Sequence, residues 1–193
     1  MAVRTSHQAN KLSVRSEEDG GKKFIEGYFV VFNEETELFP GYFEKIAPGA
    51  FEVEGRDIRC LYNHNWDIVL GRQGVGTLEV RTDEKGIWGR VEINADDPQA
   101  MAAYARIRRG DIYGCSFGFD LDINGEKIVT NTDGTMHSTI TKGTIYEISP
   151  CVFPAYEQTE INARCKKAKE QVRNSRKAEL SKRLAGLKIK KEV

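Results

Sequence analysis

The chain consists largely of short runs of β-branched and aromatic residues, separated by the turn-forming residues Gly, Pro, Asn and Asp. The run from Phe24 to Phe32 is typical of a β-strand that is covered on both faces. Gly76–Val80 and Ile87–Ile93 alternate between apolar and polar residues with Asp83–Gly86 between them, which predicts a β-hairpin. About seven or eight such strands with one internal helix predict a mainly β fold, an antiparallel β-barrel decorated by helices.

One internal segment carries the start and stop signals of an α-helix. Asp97-Pro98 supplies an N-cap followed by a proline in the first turn. Apolar residues recur at helical spacing from Ala100 to Ile107, and Gly110 stands where a helix ends. We therefore expect one helix within the body of the fold.

Pro-Gly and Asn-Gly pairs mark turns elsewhere in the chain. Phe39–Phe43 and Ala47–Phe51 each place a Pro-Gly pair beside aromatic residues, which predicts packed loops. Asn124-Gly125 lies between two predicted strands, Ile112–Ile123 and Lys127–Thr130, and predicts a hairpin that joins them.

The net charge of the chain is zero, but the two signs are not evenly mixed. Residues 163–193 carry 12 Lys and Arg against 3 Glu, a net charge of +9, whereas residues 1–162 carry 17 basic and 26 acidic side chains, a net charge of −9. The change of sign separates a body (22–162) from a basic tail (163–193) that is helical or disordered. Residues 1–21 are polar and have almost no apolar periodicity, so we expect a flexible arm there. Three leucines share one face of the helix that this tail can form: Leu180, Leu184 and Leu187.

The composition argues against several classes of protein. No run approaches the roughly 20 apolar residues that a membrane helix needs, and the N-terminus has no apolar signal-peptide core, so we expect neither membrane insertion nor export. The four cysteines lie far apart, without the close pairs of a zinc site: Cys60, Cys115, Cys151 and Cys165. We interpret them as reduced thiols of a cytosolic protein, and we expect no metal and no cofactor.

The segment Gly114–Gly118 carries a candidate nucleophile. In a strand, Ser116 shares one face with the two glycines, whereas Cys115 and Phe117 point to the opposite face. A serine exposed between glycines suits a nucleophile that attacks a peptide, and the alternative is a strand whose small face accommodates a bulky neighbour. Because Cys115 faces the other way, we interpret it as a core residue rather than as the nucleophile.

A serine nucleophile needs a base to take its proton, and the base needs a third group to orient it. His64, at the end of a predicted strand, is the candidate base, and Glu147 and His137 are both candidates for the third position. Glu147 lies in an otherwise apolar strand, which is costly unless the carboxylate is paired. Alternatively, Glu147 faces solvent, and in a regular strand Ile145, two residues earlier, would have to share that face. Each histidine is alternatively an ordinary surface or half-buried imidazole.

Six motifs follow one another between about residues 24 and 160: Gly27–Asn33, Ile46–Phe51, Leu61–His64, Leu70–Arg72 with Gly76–Leu78, Gly110–Phe119, and Glu147–Pro150 with Phe153–Tyr156. In this order they resemble the prohead (capsid maturation) proteases of tailed bacteriophages, of the HK97 type. Any one motif is weak, but three of the six contain the candidate histidine, serine and glutamate.

This resemblance implies a serine endopeptidase that removes scaffolding segments from the major capsid protein and commonly processes itself. It would act inside the assembling procapsid, in the cytoplasm of the bacterial host. The implied fold is an antiparallel β-barrel wrapped by helices, similar to the herpesvirus assemblins, and this fold analogy alone suggests a homodimer.

Carried onto this chain, the resemblance makes Ser116 the nucleophile, His64 the general base and Glu147 the third member. Glu147 lies in a segment that matches the phage pattern, whereas His137 matches no motif. The assemblins use a second histidine at the third position, so His137 remains the alternative there.

Two other functions compete with this one. The chain is alternatively a non-enzymatic β-barrel binding module that docks on capsid proteins or nucleic acid through its basic tail. The acidic body shows no aromatic–basic stripe of the kind that binds single strands, so we expect no specific nucleic-acid partner. The second competitor is an inactive relative that serves as internal scaffold, and the presence of all three candidate residues argues against it.

Overall fold

The computed structural model describes residues 12–16, 21–152 and 170–183. The strands and helices of these residues are, in chain order, β1 (Ser13–Ser16), β2 (Lys23–Val31), β3 (Thr36–Phe39), β4 (Tyr42–Ile46), β5 (Arg59–Tyr62), β6 (Asn65–Arg72), β7 (Leu78–Thr82), β8 (Gly86–Ile93), α1 (Pro98–Arg109), β9 (Gly114–Leu121), β10 (Glu126–Thr130), β11 (Met136–Ile140), β12 (Gly143–Cys151) and α2 (170–183). A short 3-10 turn, Gln73–Val75, follows β6. No helix of these segments is both long enough and apolar enough to cross a bilayer.

The strands form three four-stranded sheets, in the orders β1-β2-β8-β7, β10-β11-β4-β3 and β6-β5-β12-β9. The predicted mainly β class is therefore confirmed, but none of the three sheets closes into a barrel within the described residues. The pairing is also not purely antiparallel, because β4 pairs parallel to β11 and β5 pairs parallel to β12. Such parallel pairs join strands that are far apart in the chain, which local turn signals do not reveal.

Elements with strong local signals occur where they are expected. The hairpin β7–β8 forms an antiparallel pair from Leu78↔Val91 to Thr82↔Ile87. Helix α1 begins after Asp97, whose carboxylate accepts a hydrogen bond of 2.8 Å from the Gln99 N–H. It ends at Gly110, which has a left-handed φ of 88°.

Two turn predictions need correction. Asn124-Gly125 does form a turn, but it separates strands of different sheets, since β9 pairs with β12 and β10 pairs with β11. Pro40-Gly41 connects β3 to β4 as a tight hairpin rather than lying in a packed loop. At Asn124-Gly125 the predicted turn is present but the strand pairing differs, and at Pro40-Gly41 the turn is present with two strands that were not predicted.

Part of the predicted flexible arm is a strand. Ser13–Ser16 pairs with β2 from Ser13↔Glu26 to Ser16↔Lys23, so that order begins before Lys23. Val14 packs against the core and gives this short edge strand its apolar anchor. The other residues of the arm lie outside the described residues, apart from Leu12 and residue 21.

One hydrophobic core joins all three sheets and includes Ile25 of β2, Ile46 of β4 and Phe117 of β9. The predicted packed loop around Phe51 is confirmed, because its ring contacts Phe117 edge-on at a centroid distance of 5.7 Å. The described cysteines, Cys60, Cys115 and Cys151, are buried thiols rather than disulfides, and this burial raises the pKa of each thiol. Cys165 lies outside the described residues.

Helix α2, from the predicted basic tail, packs on the end of the β10-β11-β4-β3 sheet. Val172 is 4% exposed and forms a small second cluster with Tyr42 and Met136. Arg176 lies against Gly41 and Gly134, where an added Cβ would overlap it. Val172 thus provides the apolar contact between α2 and the sheet, and Arg176 provides a polar one.

The leucine face predicted for the tail is not the docked one in the described part of the helix. Leu180 is exposed, and Leu184 and Leu187 lie outside the described residues.

We predict that Val172→Asp undocks α2, because it removes an apolar contact worth about 1.5–3 kcal/mol and places a charge against Tyr42 and Met136. Hydrogen–deuterium exchange of residues 170–183 should accelerate strongly in this variant. Leu180→Asp is the matched control on the same helix and should leave the exchange unchanged. Equal exchange in the two variants would contradict the docking described above.

Candidate active site

The register of β9 against β12 places the candidate residues on one face of their sheet. Ser116 lies opposite Ser149, and Gly118 lies opposite Glu147. Residues that pair across antiparallel strands point to the same side, so the four positions share a face. Ser116 is fully buried, which differs from the exposed serine that the flanking glycines predicted.

The strand β12 contains a β-bulge at Tyr146. Ile145 pairs with Phe119, and Glu147 pairs with Gly118, so Tyr146 is an extra residue with no partner position on β9. The bulge reverses the alternation along the strand. Ile145 therefore points into the core, whereas Glu147 points to the face that carries Ser116. The expectation that Ile145 and Glu147 would have to share a face is wrong for this reason.

Gly118 provides the space that the Glu147 side chain occupies. A Cβ at this position would lie 2.6 Å from Glu147 Oε1 and 2.7 Å from Tyr146 Cε2, both far inside normal contact distance. The glycine therefore admits the carboxylate and the bulge residue to the sheet. From the sequence alone, this glycine was expected only to leave the backbone open beside Ser116.

His64 lies in the tight turn of the β5–β6 hairpin. Asn63 and His64 have φ angles of 53° and 58°, the signs of a type I′ turn between the paired residues Tyr62 and Asn65. Positive φ is uncommon for residues other than glycine, and Asn and His are among those that adopt it most readily. The Asn63 N–H donates a hydrogen bond of 3.0 Å to the Pro150 carbonyl, which ties this turn to β12.

The opposite end of the same hairpin is held by Asp57. Arg72 donates to this carboxylate through Nε at 2.9 Å and through Nη2 at 2.6 Å, and the Gly74 N–H donates at 3.1 Å. These donors, with Arg59 nearby, lower the pKa of Asp57 to about 2. Arg59 and Arg72 pair across the hairpin, so Asp57 fixes its base while the turn presents His64 at its tip.

The Glu147 carboxylate joins the turn to the sheet. His64 Nδ1 lies 2.7 Å from Glu147 Oε1, and Ser149 Oγ donates to Glu147 Oε2 at 2.5 Å. Glu147 is only 1% exposed, so these two contacts replace the water that the carboxylate has lost. Sequence analysis missed Ser149, although its place two residues after Glu147 puts both on one face of a strand.

Two polar atoms of the site have no hydrogen-bond partner within the described residues: His64 Nε2 and Ser116 Oγ. Both are buried, and buried polar groups are paired in the great majority of cases. The imidazole thus uses one nitrogen toward the carboxylate and keeps the other without a partner. A hydroxyl on the same sheet face is in the same condition.

His137 is held elsewhere. It lies on β11, in the β10-β11-β4-β3 sheet, and stacks on Phe43 at a centroid distance of 4.8 Å. Its Nδ1 contacts Glu35 Oε1 at 2.9 Å and its Nε2 contacts Thr135 Oγ1 at 3.2 Å. The structure brings Glu147 to His64, and it does not bring His137 there.

These side chains are of the kinds that base-activated nucleophilic chemistry uses. They are a carboxylate in contact with an imidazole, Glu147 and His64, and a hydroxyl on the same sheet face as the carboxylate, Ser116. Cys115 points to the opposite face, and burial raises its pKa well above the usual value for a thiol, so it stays protonated in the core. The described segments contain no cluster of side chains able to hold a metal ion.

Comparison with known proteins points in the same direction. The model of a family described as Caudovirus prohead serine protease matches residues 10–174. The chain is also 29% identical over 150 residues to a prohead protease of Enterobacteria phage HK97. That match covers 75% of this chain and 61% of the phage protein, so the chain spans less than two thirds of this relative's length.

No solved structure matches the chain. The likeness to the assemblin fold therefore stays a prediction.

We predict that Gly118→Ala separates Glu147 from His64, since the new methyl group would overlap Oε1. The low-field NMR resonance of the His64 Nδ1 proton, a signature of its hydrogen bond to the carboxylate, should be lost or strongly shifted. Overpacking should also cost about 1–3 kcal/mol in the free energy of unfolding.

Gly89→Ala is the matched control for this prediction. A Cβ at Gly89 would press on Phe29 at 2.9 Å and on Ile148 at 3.1 Å, so it overpacks a strand without touching Glu147. It should destabilise the fold and leave the imidazole resonance in place. An unchanged resonance in Gly118→Ala would refute the role given to this glycine.

Proposed function

The chain belongs to the Caudovirus prohead serine protease family, and from that premise we propose that it is a serine endopeptidase of phage capsid maturation. The observation that carries the proposal is the 2.7 Å contact between His64 and Glu147, on the sheet face that also holds Ser116. Membership of the family supplies the class of reaction. The contact between His64 and Glu147 supports the choice of residues proposed to perform it.

The reaction is an acyl transfer in two halves. Ser116 Oγ attacks the scissile carbonyl carbon while His64 Nε2 takes the hydroxyl proton, and the tetrahedral intermediate collapses when His64 gives that proton to the leaving amine. Water then attacks the acyl-enzyme with His64 again as base, which releases the second product and restores Ser116.

Glu147 serves the imidazole rather than the substrate. By accepting from Nδ1–H it selects the tautomer in which Nε2 carries the lone pair, and it stabilises the imidazolium that forms. Because Ser116 is buried, proteolysis also requires that the side chains covering it move aside to admit a peptide.

The proposed substrates lie within the procapsid. They are the scaffolding segment of the major capsid protein and the chain itself, processed inside the assembling particle in the host cytoplasm. The family and the HK97 relative, which is called a prohead protease, support this assignment. The homodimer suggested by analogy with the assemblins belongs to the same proposal.

One observation favours the alternative, a non-enzymatic docking module. Helix α2 exposes a set of basic side chains that an acidic partner could contact: Arg173, Arg176, Lys177, Lys182 and Arg183. The two functions are separated by whether a defined bond is cut.

We predict that co-expression of the chain with the capsid protein of its own phage yields a specific cleavage product and that Ser116→Ala abolishes it. Gel electrophoresis with mass spectrometry of the products checks this. Ser138→Ala, which alters an equally buried serine in another sheet, should cleave normally. Cleavage that persists in Ser116→Ala would remove Ser116 as nucleophile, and no cleavage by any variant would favour the docking module.

Glu147→Gln should lower kcat by about 10³–10⁴-fold, because an amide cannot hold the imidazole in the required tautomer and charge state. His137→Gln should leave kcat within about twofold, since both ring nitrogens are engaged away from the site. Steady-state rates on a peptide spanning the mapped cleavage site provide the measurement. The reverse order of effects would assign the third position to His137.

A further inference from the structure

We infer that Ser149 is a positioning residue for the proposed protease, holding the Glu147 carboxylate in the plane that His64 requires. This inference rests on the proposed function, and it assigns a role to a side chain outside the three residues of the triad. Its basis is the 2.5 Å hydrogen bond from Ser149 Oγ to Glu147 Oε2.

Both oxygens of the Glu147 carboxylate have a partner. The carboxylate is almost fully buried, with His64 at one oxygen and Ser149 at the other. Since an ionised carboxylate only accepts hydrogen bonds, the Ser149 hydroxyl and the His64 Nδ1–H are the donors in this pairing. With Nδ1 as donor, Nε2 of the neutral ring becomes the acceptor.

The Ser149 hydrogen bond also fixes the orientation of the Glu147 carboxylate. The last torsion of a glutamate side chain is broad and roughly two-fold, so one contact to Oε1 would leave the carboxylate free to rotate. Ser149 removes that freedom, because it lies on the same strand as Glu147 and is itself fully buried. Gly118 leaves the room that the carboxylate occupies, since a Cβ there would lie 2.6 Å from Oε1. His64 and Ser149 thus hold one carboxylate oxygen each.

Ser149 differs from Ser116, its neighbour across the strand pair, in the hydrogen-bond partner of its hydroxyl. The two hydroxyls lie on one sheet face and both are buried, but they differ in where the proton goes. The Ser149 hydroxyl donates its hydrogen bond to the Glu147 carboxylate, and a carboxylate is a weaker base than the imidazole that a nucleophile needs. Ser116 Oγ has no such partner within the described residues and remains available to a base.

The chain offers a matched control for Ser149. Ser138, on β11 of another sheet, is also fully buried, and its Oγ donates to Glu126 Oε1 at 2.6 Å. Replacing either serine by alanine removes a hydroxyl–carboxylate hydrogen bond of similar length, which is buried at Ser149 and part-buried at Ser138. Only Ser149 lies beside His64 and Glu147, so a difference between the two variants reports on position rather than on stability.

The experiment compares Ser149→Ala with Ser138→Ala on a peptide spanning the mapped cleavage site. We expect Ser149→Ala to lower kcat roughly tenfold to a hundredfold with KM nearly unchanged, as when a supporting hydrogen bond behind a reactive group is lost. The low-field His64 Nδ1 proton resonance should shift or broaden as well. Ser138→Ala should change neither quantity, although both variants lose thermal stability.

Two outcomes overturn the inference. Equal kcat values for Ser149→Ala and Ser138→Ala would show that the Ser149 hydrogen bond is only structural. If Ser149→Ala lost labelling by a fluorophosphonate while Ser116→Ala kept it, Ser149 would be the nucleophile instead. Should Ser149→Ala not fold, Ser149→Cys replaces the hydroxyl by a thiol, a much weaker donor of similar size. Because the strong hydrogen bond would then be lost, a kcat equal to the native value would contradict the inference.

Failure of the inference is distinguishable from failure of the proposed function. Ser116→Ala alone tests whether the chain is a serine protease that uses Ser116. A native-like Ser149→Ala beside an inactive Ser116→Ala would remove the positioning role and leave the protease assignment standing.

Discussion

A carboxylate with 1% of its surface exposed, that of Glu147, needs hydrogen-bond donors to offset the loss of water. Burial of a lone charge costs several kcal/mol, so the fold around Glu147 tolerates the side chain only while its partners are in place. His64 and Ser149 supply those donors from a turn and from the same strand. The imidazole is therefore oriented by the same contacts that make the buried charge tolerable.

The bulge at Tyr146 lets one strand serve two environments. Before it, Ile145 points into the core, and after it, Ile148 does so again, with Glu147 between them on the opposite face. Without the extra residue, Ile145 and Glu147 would share a side, and either the core would contain a charge or the site would lack one. Gly118 completes the device because only a residue without Cβ leaves room for the carboxylate.

Features set by neighbouring residues were predictable from the sequence, and features set by distant pairing were not. Helix α1 and the β7–β8 hairpin carry their caps and turns within a few positions, so both occur as expected. The parallel pairing of β5 with β12 depends on contacts across the whole chain, as does the separation of β9 from β10 at Asn124-Gly125. Ser116, His64 and Glu147 were identifiable as candidates, but the orientation of Glu147 depends on the bulge.

The two histidines of the body differ in the hydrogen-bond partners of their ring nitrogens, and this difference distinguishes a candidate base from a structural residue. His137 has both ring nitrogens in contact with oxygen atoms of Glu35 and Thr135 and its ring stacked on Phe43, so neither nitrogen is directed to another partner. His64 has one nitrogen fixed by Glu147 and the other buried without a partner in the described part of the chain. It also occupies a positive-φ position that glycine would fill at lower conformational cost. An imidazole with one nitrogen fixed and the other without a partner is what the proposed general base requires.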